Sequence, residues 1–475
     1  MKIKKIIFVI FLFLIGLIRV NAENEYIKLT TVNDTDGEKV TYIYSPTETE
    51  GTVNGLSYDS STNTLIFNSY DLGKTTTYLE INNMGNLNIN VSGENKLVSD
   101  MFKDSTIHVE NTNITIDGTG ELKIYGTGIT STGNININNI KITGYGIVPY
   151  SNSSLTSVLI NCISDVNIYN TTFRFASFDS NASGVIRGKN VTIDNSDFYG
   201  MVKRFLYDTT NATITNSNIK LMYGSIVSDN LTVDNSTISI NTQGTGDMMD
   251  VFNYTDSTYY PYTLNETEMN AIKSGFGDEK IGAGLYGYTS LTFRNSNITL
   301  NKSDYCLPVS SAFVSENTIL DISCIEYGEI SGTLSFTLPN GKDLYIDNEL
   351  GAFFDLPGAG QFPLKLSDKK FIDAAMARFD EIDNEIQRLE AEGGHQTEID
   401  ELNAETAQLQ NEVFSKMYSY KKIQVLDAQA NNNESNQIIN NVPKTGVITF
   451  IGLLFGISIL IYGTYLLIKS TKKAI

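Results

Sequence analysis

The chain has 475 residues and a formal net charge of −20 at pH 7. So negative a protein is excluded as a nucleic-acid binder, because the phosphates would be repelled. Three cysteines in a chain of this length exclude a disulfide scaffold.

The N-terminus has the pattern of a secretory signal peptide. Three lysines within the first five residues precede an apolar stretch at 6–18, and small residues lead up to Ala22. A short apolar core between basic residues and a small-residue site is typical of a segment that is cleaved during export. We expect residues 1–22 to be removed between Ala22 and Glu23, which leaves the mature chain outside the cell.

Residues 23–75 predict an N-terminal β cap. Leu56–Asp59 and Asn63–Phe67 read as a hairpin across a polar turn. Stacked strands leave open edges at the ends of a solenoid, and such edges need a cover.

Residues 76–330 contain a repeat of the form apolar-Thr-apolar-x-Asn-Ser/Thr-x-apolar-x-apolar. Aligned on the asparagine, its copies fall at Asn111, Asn139, Asn170, Asn195, Asn216, Asn235 and Asn295. Spacings that shrink to 19 residues indicate a unit of about 20 residues with loops of variable length inserted.

Apolar residues alternate within each copy, as Leu231 and Val233 do before the asparagine and Ile238 and Ile240 do after it. This period of two predicts half-buried strands that meet at the asparagine. Asparagine tolerates the left-handed backbone of a tight corner, and its side-chain amide can bond the asparagine of the next unit. The sequence predicts ten to twelve stacked coils, about 50 Å long, with apolar side chains inside.

The repeat resembles that of the pectate-lyase-like right-handed β-helices. The resemblance covers a little over half of the chain and is one of pattern rather than of catalytic motif. It implies a mainly β fold, a right-handed parallel β-helix or solenoid. A β-propeller or a sandwich is the alternative, and the irregular spacing and the asparagine corners argue against both.

The cysteines allow one disulfide. Cys306 and Cys324 are 18 residues apart, close to one coil, so stacking could bring them together, whereas Cys162 has no obvious partner. We favour buried thiols that act as small apolar residues.

The longest gap between copies marks an insertion at 241–289. It concentrates tyrosines beside acidic residues, namely Tyr254, Tyr259, Tyr260, Tyr262, Tyr286 and Tyr288. Exposed tyrosines beside acids can stack on sugar rings or anchor a protein partner. A loop packed down by its own tyrosines would have the same composition. These six residues form the candidate binding loop.

The repeat region lacks the motifs of a known catalytic site. Polygalacturonase-type hydrolysis uses spaced carboxylates near Gly-His-Gly and Arg-Ile-Lys, and the chain has none of these motifs. His108 lies at an alternating position that favours a surface residue, and Lys203 and Arg204 near Asp208 are a weak candidate for lyase chemistry. Histidine-rich groups and Ca²⁺ nonapeptides are missing. We expect no catalysis, metal or cofactor.

Residues 331–366 predict a C-terminal β cap, with a closing hairpin from Leu334 to Leu344. From 367 to 428 apolar residues recur every three and four positions on both sides of Gly393-Gly394, which predicts an antiparallel helical hairpin or coiled coil. Thr397 is the expected N-cap of the second helix. The apolar seam of the hairpin could also pair two molecules.

Residues 442–475 have three parts. Val442-Pro443-Lys444-Thr445-Gly446 precedes an apolar run at 447–468, and three lysines follow. A run of 22 apolar or small residues can cross a bilayer as a helix, with the lysines on the cytoplasmic side. This order closely resembles the cell-wall sorting signal of Gram-positive LPxTG surface proteins, with Val442 in place of the usual leucine.

The resemblance implies that a sortase cuts between Thr445 and Gly446 and joins Thr445 to a peptidoglycan amine. The precursor would sit in the membrane through a transmembrane helix at 447–468; a plain membrane anchor is the alternative. Loss of both signals removes seven cations and no acid, which takes the formal net charge from −20 to −27. Residues 429–441 would be a short linker, so we expect the helical hairpin to help lift the repeat region from the wall.

Three functions stay open. The first is a wall-anchored surface protein, such as an adhesin, whose β-helix binds a glycan or a protein of a host or neighbouring cell without catalysis. The second is a wall-anchored polysaccharide lyase or hydrolase with a divergent site. The third is a structural spacer. We favour the first.

Overall fold

The computed structural model describes residues 25–33, 37–73, 75–99, 105–126, 128–146, 158–177, 184–202, 204–222, 224–241, 284–303, 312–324, 333–356 and 360–428. These residues are mainly β, with parallel strands that stack coil upon coil and two helices near the C-terminal end. None of the described helices is long and apolar enough to cross a membrane. The expected signal peptide, linker, sorting motif and membrane helix lie outside the described residues.

The coil stack consists of three sheets of parallel strands, and each strand pairs with its counterpart in the next coil. Sheet 1 contains the first halves of β5 (Thr76–Ser92), β7 (Ile107–Gly118), β21 (Ser225–Asp234) and β23 (Gly284–Arg294), together with β9 (Ile129–Ser131), β12 (Val158–Cys162), β15 (Gly184–Arg187) and β18 (Arg204–Leu206). Sheet 2 contains the second halves of those four long strands, together with β4 (Thr64–Asn68), β10 (Ile135–Asn138), β13 (Val166–Tyr169), β16 (Asn190–Asp194), β19 (Asn211–Thr215), β25 (Ala312–Glu316) and β27 (Thr333–Thr337). Sheet 3 contains β6 (Glu94–Val98), β8 (Glu121–Tyr125), β11 (Lys141–Gly146), β14 (Thr172–Ser177), β17 (Asp197–Met201), β20 (Asn218–Met222), β22 (Thr237–Asn241), β24 (Asn297–Ser303) and β26 (Ile319–Cys324). The eleven strands of sheet 2 give a stack about 50 Å long.

Columns of apolar side chains fill the interior of the stack. One column in sheet 2 runs in register through six coils and is at most 2% exposed: Ile137, Ile168, Ile193, Ile214, Val233 and Phe293. In sheet 3 the rings of Phe173 and Phe198 stack with centroids 4.7 Å apart. Each buried side chain of this size stabilises the fold by about 1.5–3 kcal/mol. The predicted strand phase is confirmed.

Six of the seven predicted asparagines lie at the corner between sheet 2 and sheet 3, whereas Asn111 lies inside β7, between its sheet 1 and sheet 2 halves. All seven asparagines adopt a left-handed backbone, with φ between 46° and 57°, and Asn317 adds a further corner with φ 49°. Their side chains form a ladder along the stack: Asn170 Nδ2 donates to Asn139 Oδ1 at 2.8 Å, and Asn235 Nδ2 donates to Asn216 Oδ1 at 2.7 Å. Asn216 instead donates to Asp194, the residue before the asparagine of the preceding coil, at 2.7 Å.

Where Ser or Thr follows the asparagine, its hydroxyl forms a second, buried ladder. The hydroxyl of Ser217 accepts a hydrogen bond from the backbone N–H of Ser196 at 3.1 Å and donates to the carbonyl of Thr215 at 2.6 Å. Ser236 does the same one coil further on, with Ser217 N–H and Asp234 O. Each hydroxyl thus satisfies a buried backbone donor that the sheets leave unpaired. This explains why Ser or Thr follows the asparagine.

Antiparallel strands cover the N-terminal end of the stack. β3 (Leu56–Asp59) and β4 form the expected hairpin, and β4 also begins sheet 2 by pairing in parallel with β5. A second hairpin, which the sequence analysis missed, joins β1 (Tyr26–Asn33) to β2 (Gly37–Tyr44). Because β1 lies antiparallel on the first strand of sheet 1, it covers that open edge.

The predicted hairpin from Leu334 to Leu344 is wrong, because β27 and β28 pair with other strands of the stack and the C-terminal cap. β27 pairs in parallel with β25 and completes sheet 2, whereas β28 (Lys342–Ile346) pairs antiparallel with β29 (Glu349–Leu356) and β31 (Lys422–Asp427). β29 turns back on β30 (Gly360–Lys365), and β31 ends sheet 3 by pairing antiparallel with β26. The turn after β27 therefore connects the stack to its cap.

Two helices interrupt this cap. A 3₁₀ turn, Leu366–Asp368, leads into α1 (Lys369–Glu392), and α2 (Gln396–Tyr418) follows Gly393-Gly394. Arg378 of α1 pairs with Glu405 of α2 at 2.6 Å, so the helices lie side by side as the sequence predicted. Because α2 begins at Gln396, Thr397 lies inside its first turn and is not the predicted N-cap.

The helical hairpin begins and ends at the cap. It follows β30, and the chain then returns as β31, so the predicted helical segment 367–428 is too long at its C-terminal end. Lys416 at the end of α2 pairs with Asp368 at 2.8 Å, and the Tyr420 hydroxyl donates to the same carboxylate at 3.1 Å. The chain therefore leaves the described region from the cap, and the idea that the hairpin helps to lift the repeat region from the wall stays a prediction.

The strand phase can be tested at neighbouring residues. Val233→Asp would bury an unpaired carboxylate and should lower the free energy of unfolding by several kcal/mol. Thr232→Asn, on the outer face of the same strand, should cost under about 0.5 kcal/mol. Chemical denaturation of residues 23–430 measures both, and equal losses would contradict the assigned phase.

The corner can be tested at Asn216, which donates to Asp194 and accepts from Asn235. Asn216→Ala should cost about 1–3 kcal/mol, because it loses both hydrogen bonds and strains a left-handed residue. Asn216→Gly should cost less, because glycine tolerates the positive φ. Asn218→Ala, two residues along in sheet 3, is the control and should cost under about 0.5 kcal/mol. If Asn216→Ala matched this control, the ladder would not contribute to stability.

Candidate functional site

In the coil stack, the longest connections between described strands lie at one corner of the coil. At the six predicted asparagine corners between sheet 2 and sheet 3, two residues separate the strands, as between β13 and β14. From sheet 3 to the next strand of sheet 1, two residues separate β17 from β18, eleven separate β11 from β12, and 42 separate β22 from β23. We call this third corner the insertion edge. Its connecting segments all leave the same side of the stack.

The long insertion ends earlier than the sequence predicted. The chain re-enters sheet 1 at Gly284, so Tyr286 and Tyr288 belong to strand β23 and not to a loop. Tyr286 lies in register beside Val227, and its ring centroid is 6.5 Å from that of Tyr288, which is 51% exposed. The other four candidate tyrosines, Tyr254, Tyr259, Tyr260 and Tyr262, lie outside the described residues. The structure therefore brings two of the six to sheet 1, directly after the insertion edge.

The candidate charged cluster near Lys203 is described only at Arg204 and Asp208. Asp208 accepts hydrogen bonds from the guanidinium of Arg187, one at 2.8 Å from Nε, and this ion pair engages the carboxylate. Arg204 is exposed on β18, and Lys203 lies outside the described residues. Burial raises the pKa of the neighbouring Tyr207.

The two histidines occupy surfaces. His108 is exposed on sheet 1 between Glu80 and Thr130, as its alternating position predicted. His395 lies at the helical turn, with Nδ1 bonded to Glu398. In the part of the chain that the structure describes, no three His, Cys, Asp or Glu side chains are grouped to hold a metal ion.

Cys162 is the one predicted thiol whose side chain is described, and it is buried at the end of β12. The backbone N–H of Ser164 donates to its Sγ at 3.3 Å, and burial raises the pKa of the thiol. It therefore behaves as the small interior residue that the sequence predicted. Cys306 lies outside the described residues, so its pairing with Cys324 stays a prediction.

The outer face of sheet 3 carries an ion-pair ladder at its N-terminal end. Lys96 bridges Asp71 at 3.1 Å and Glu94 at 3.2 Å, and Glu94 also pairs with Lys123 at 2.8 Å. The hydrogen bond from Lys123 holds the pKa of Glu94 below its usual value. One coil further on, Lys141 pairs with Glu121 of the preceding coil at 3.0 Å. Glu94 thus neutralises Lys96 and Lys123, which lie in the neighbouring column of sheet 3.

The residues of the sorting signal, Val442 to Gly446, and of the signal cleavage site, Ala22 and Glu23, lie outside the described residues, so their roles stay predictions. No family model, curated protein or solved structure matches the chain.

Proposed function

We propose that the protein is exported, inserted in the membrane as a precursor and joined by a sortase to the peptidoglycan of a Gram-positive cell wall through Thr445. The signal-peptide pattern before Glu23 and the sorting pattern at 442–475 support this proposal. The last described residue, Ala428, follows β31 in the C-terminal cap. A wall anchor beyond it would place that cap near the wall and the N-terminal cap farthest from it.

We further propose that the coil stack is a right-handed parallel β-helix. In-register parallel pairing of successive coils and the repeated left-handed corners support this fold. Such a stack is rigid along its length, because every coil is bonded to two neighbours.

The favoured role is non-catalytic binding to a glycan or to a protein on another cell. The observation that carries it is the insertion edge, since all the long connections leave one side of a uniform stack. Binding residues are commonly carried on loops that a rigid scaffold positions. A polysaccharide lyase or hydrolase with a divergent site is the second candidate, and a ligand-free spacer is the third.

Anchoring is tested by Thr445→Ala. Because the variant removes the residue at the scissile bond, the protein should move from the wall fraction to the membrane or the medium. Thr449→Ala, inside the expected membrane helix, is the control and should stay in the wall. Release by muramidase that is the same for Thr445→Ala and the unchanged protein would contradict the sortase proposal.

Binding is tested with residues 23–430 on a glycan and host-matrix array, alongside assays for reducing sugar and unsaturated uronate. Residues 242–283 are then replaced by Gly-Gly, since two residues already close this corner between β17 and β18 and between β20 and β21. The deletion should fold with an unchanged melting temperature, because the flanking strands β22 and β23 each keep their own pairing partners in the stack. Binding to the array ligand should fall at least tenfold.

Each other outcome assigns a different role. A folded deletion that binds as before would move the site to the regular faces. Release of uronate or reducing sugar by the intact protein would favour the enzyme. Absence of any ligand on the array would favour the spacer.

A further inference from the structure

One column of residues on the outer face of sheet 3 is rich in cationic side chains. From Asn139 onward, it contains the residue four positions after each asparagine at the corner between sheet 2 and sheet 3. In the two earlier coils it contains Lys96 and Lys123. The register aligns Lys96, Lys123, Thr143, Arg174, Tyr199 and Lys220. Beyond Lys220 the column continues with Ser239, Thr299 and Asp321. Four of nine positions in one line are thus cationic in a strongly acidic protein.

The two ends of this cationic column differ in their partners. Lys96 and Lys123 are neutralised by Asp71 and Glu94, as described above. Arg174 and Lys220 are both exposed, and neither makes a hydrogen bond or ion pair with any residue that the structure describes. Two uncompensated cations therefore lie on one face of a chain whose net charge is −20.

The spacing of these cations is fixed by the fold. Arg174 and Lys220 belong to β14 and β20, with β17 between them, so two coil steps of about 4.8 Å separate their backbones by about 10 Å. Tyr199 occupies the position between them and is half-buried. Asp197 and Asn218 lie in the adjacent column on the same face. The result is an aromatic ring flanked by two cations, with hydrogen-bonding groups beside it.

We propose that Arg174, Tyr199 and Lys220 form a binding site for an anionic glycan. This inference rests on the proposed binding function and names its ligand class and its place on the regular face of sheet 3. The ring of Tyr199 stacks on a sugar, while Arg174 and Lys220 hold anionic groups on either side of it. Arginine binds a carboxylate or sulfate through two parallel hydrogen bonds, and lysine acts as a point charge.

The polar neighbours fit the same ligand. Asp197 accepts hydrogen bonds and Asn218 donates and accepts them, which suits sugar hydroxyls. Because the net charge of the chain is −20, we expect a polyanion to bind at cations that no described acid neutralises, as at Arg174 and Lys220. Binding should therefore weaken as the salt concentration rises, because salt screens exposed charges.

The test measures the affinity of residues 23–430 for octasaccharides of hyaluronan, chondroitin sulfate and a neutral β-glucan. Both anionic glycans should bind at low salt, and the neutral one should bind at least tenfold more weakly. Tighter binding of chondroitin sulfate would identify sulfate as the preferred anion, and equal binding would identify the carboxylate that both share. The double variant Arg174→Ser, Lys220→Ser should lower the affinity at least tenfold, and Tyr199→Ser should lower it several-fold.

The matched control is the double variant Lys141→Ser, Arg294→Ser. It removes the same net charge, but from two cations that already pair with acids: Lys141 pairs with Glu121, and Arg294 pairs with Glu316. Its affinity should stay within twofold of the unchanged protein, and all variants should keep the same melting temperature. Equal weakening by both double variants would show a general charge effect and overturn the site. So would full affinity in the Arg174, Lys220 variant, and loss of binding only on deletion of 242–283 would keep the binding function but move it to the insertion edge.

Discussion

The coil stack depends on the hydrogen bonds that the backbone makes at one corner. Between sheet 2 and sheet 3 the chain must turn within two residues, and no buried N–H can be left unpaired. Asparagine supplies the left-handed residue and a side-chain amide for the ladder, and the following Ser or Thr supplies a hydroxyl that accepts the N–H of the preceding coil. At the asparagine corners two residues separate the strands, so the alternation enters sheet 3 in the same phase. The earlier coil of β7 and β8 has one residue more between Asp117 and Glu121, where Gly118 has φ 145°.

This requirement explains where the chain tolerates variation. Leu231 and Val233 before the corner and Ile238 and Ile240 after it are all buried, and any slip would expose one pair. Between sheet 3 and sheet 1 the chain can leave and return without disturbing either strand, since each is held by its own neighbours in the stack. The cost of a longer connection there grows only slowly with its length. The insertion edge therefore follows from the rigidity of the opposite corner.

Local signals in the sequence predicted the repeat well and the long-range pairing poorly. The asparagine corners, the strand phase and the break at Gly393-Gly394 each depend on residues close in the chain, and the structure has all three. The prediction of the C-terminal cap failed because β31 pairs with β28, although the whole helical hairpin lies between them in the sequence. A turn at Pro339 does not reveal pairing between residues so far apart in the chain. Ile423 and Val425 alternate, but a short strand directly after a helix gave too weak a signal. The charged column was missed because Arg174, Tyr199 and Lys220 share only their offset from the corner asparagine, so one had to compare the coils position by position.

The constant rise from coil to coil fixes the distances between groups along one face of the stack. Any two groups on the same face are separated by a whole number of steps of about 4.8 Å, because each coil rests in register on the one before. Segments that leave after β11, β14 and β22 are thus spaced in steps of that size along one line. Gain or loss of a whole coil would lengthen or shorten these intervals by one step and leave every other corner unchanged. The distance between two contact points on one face is therefore set by the number of coils between them.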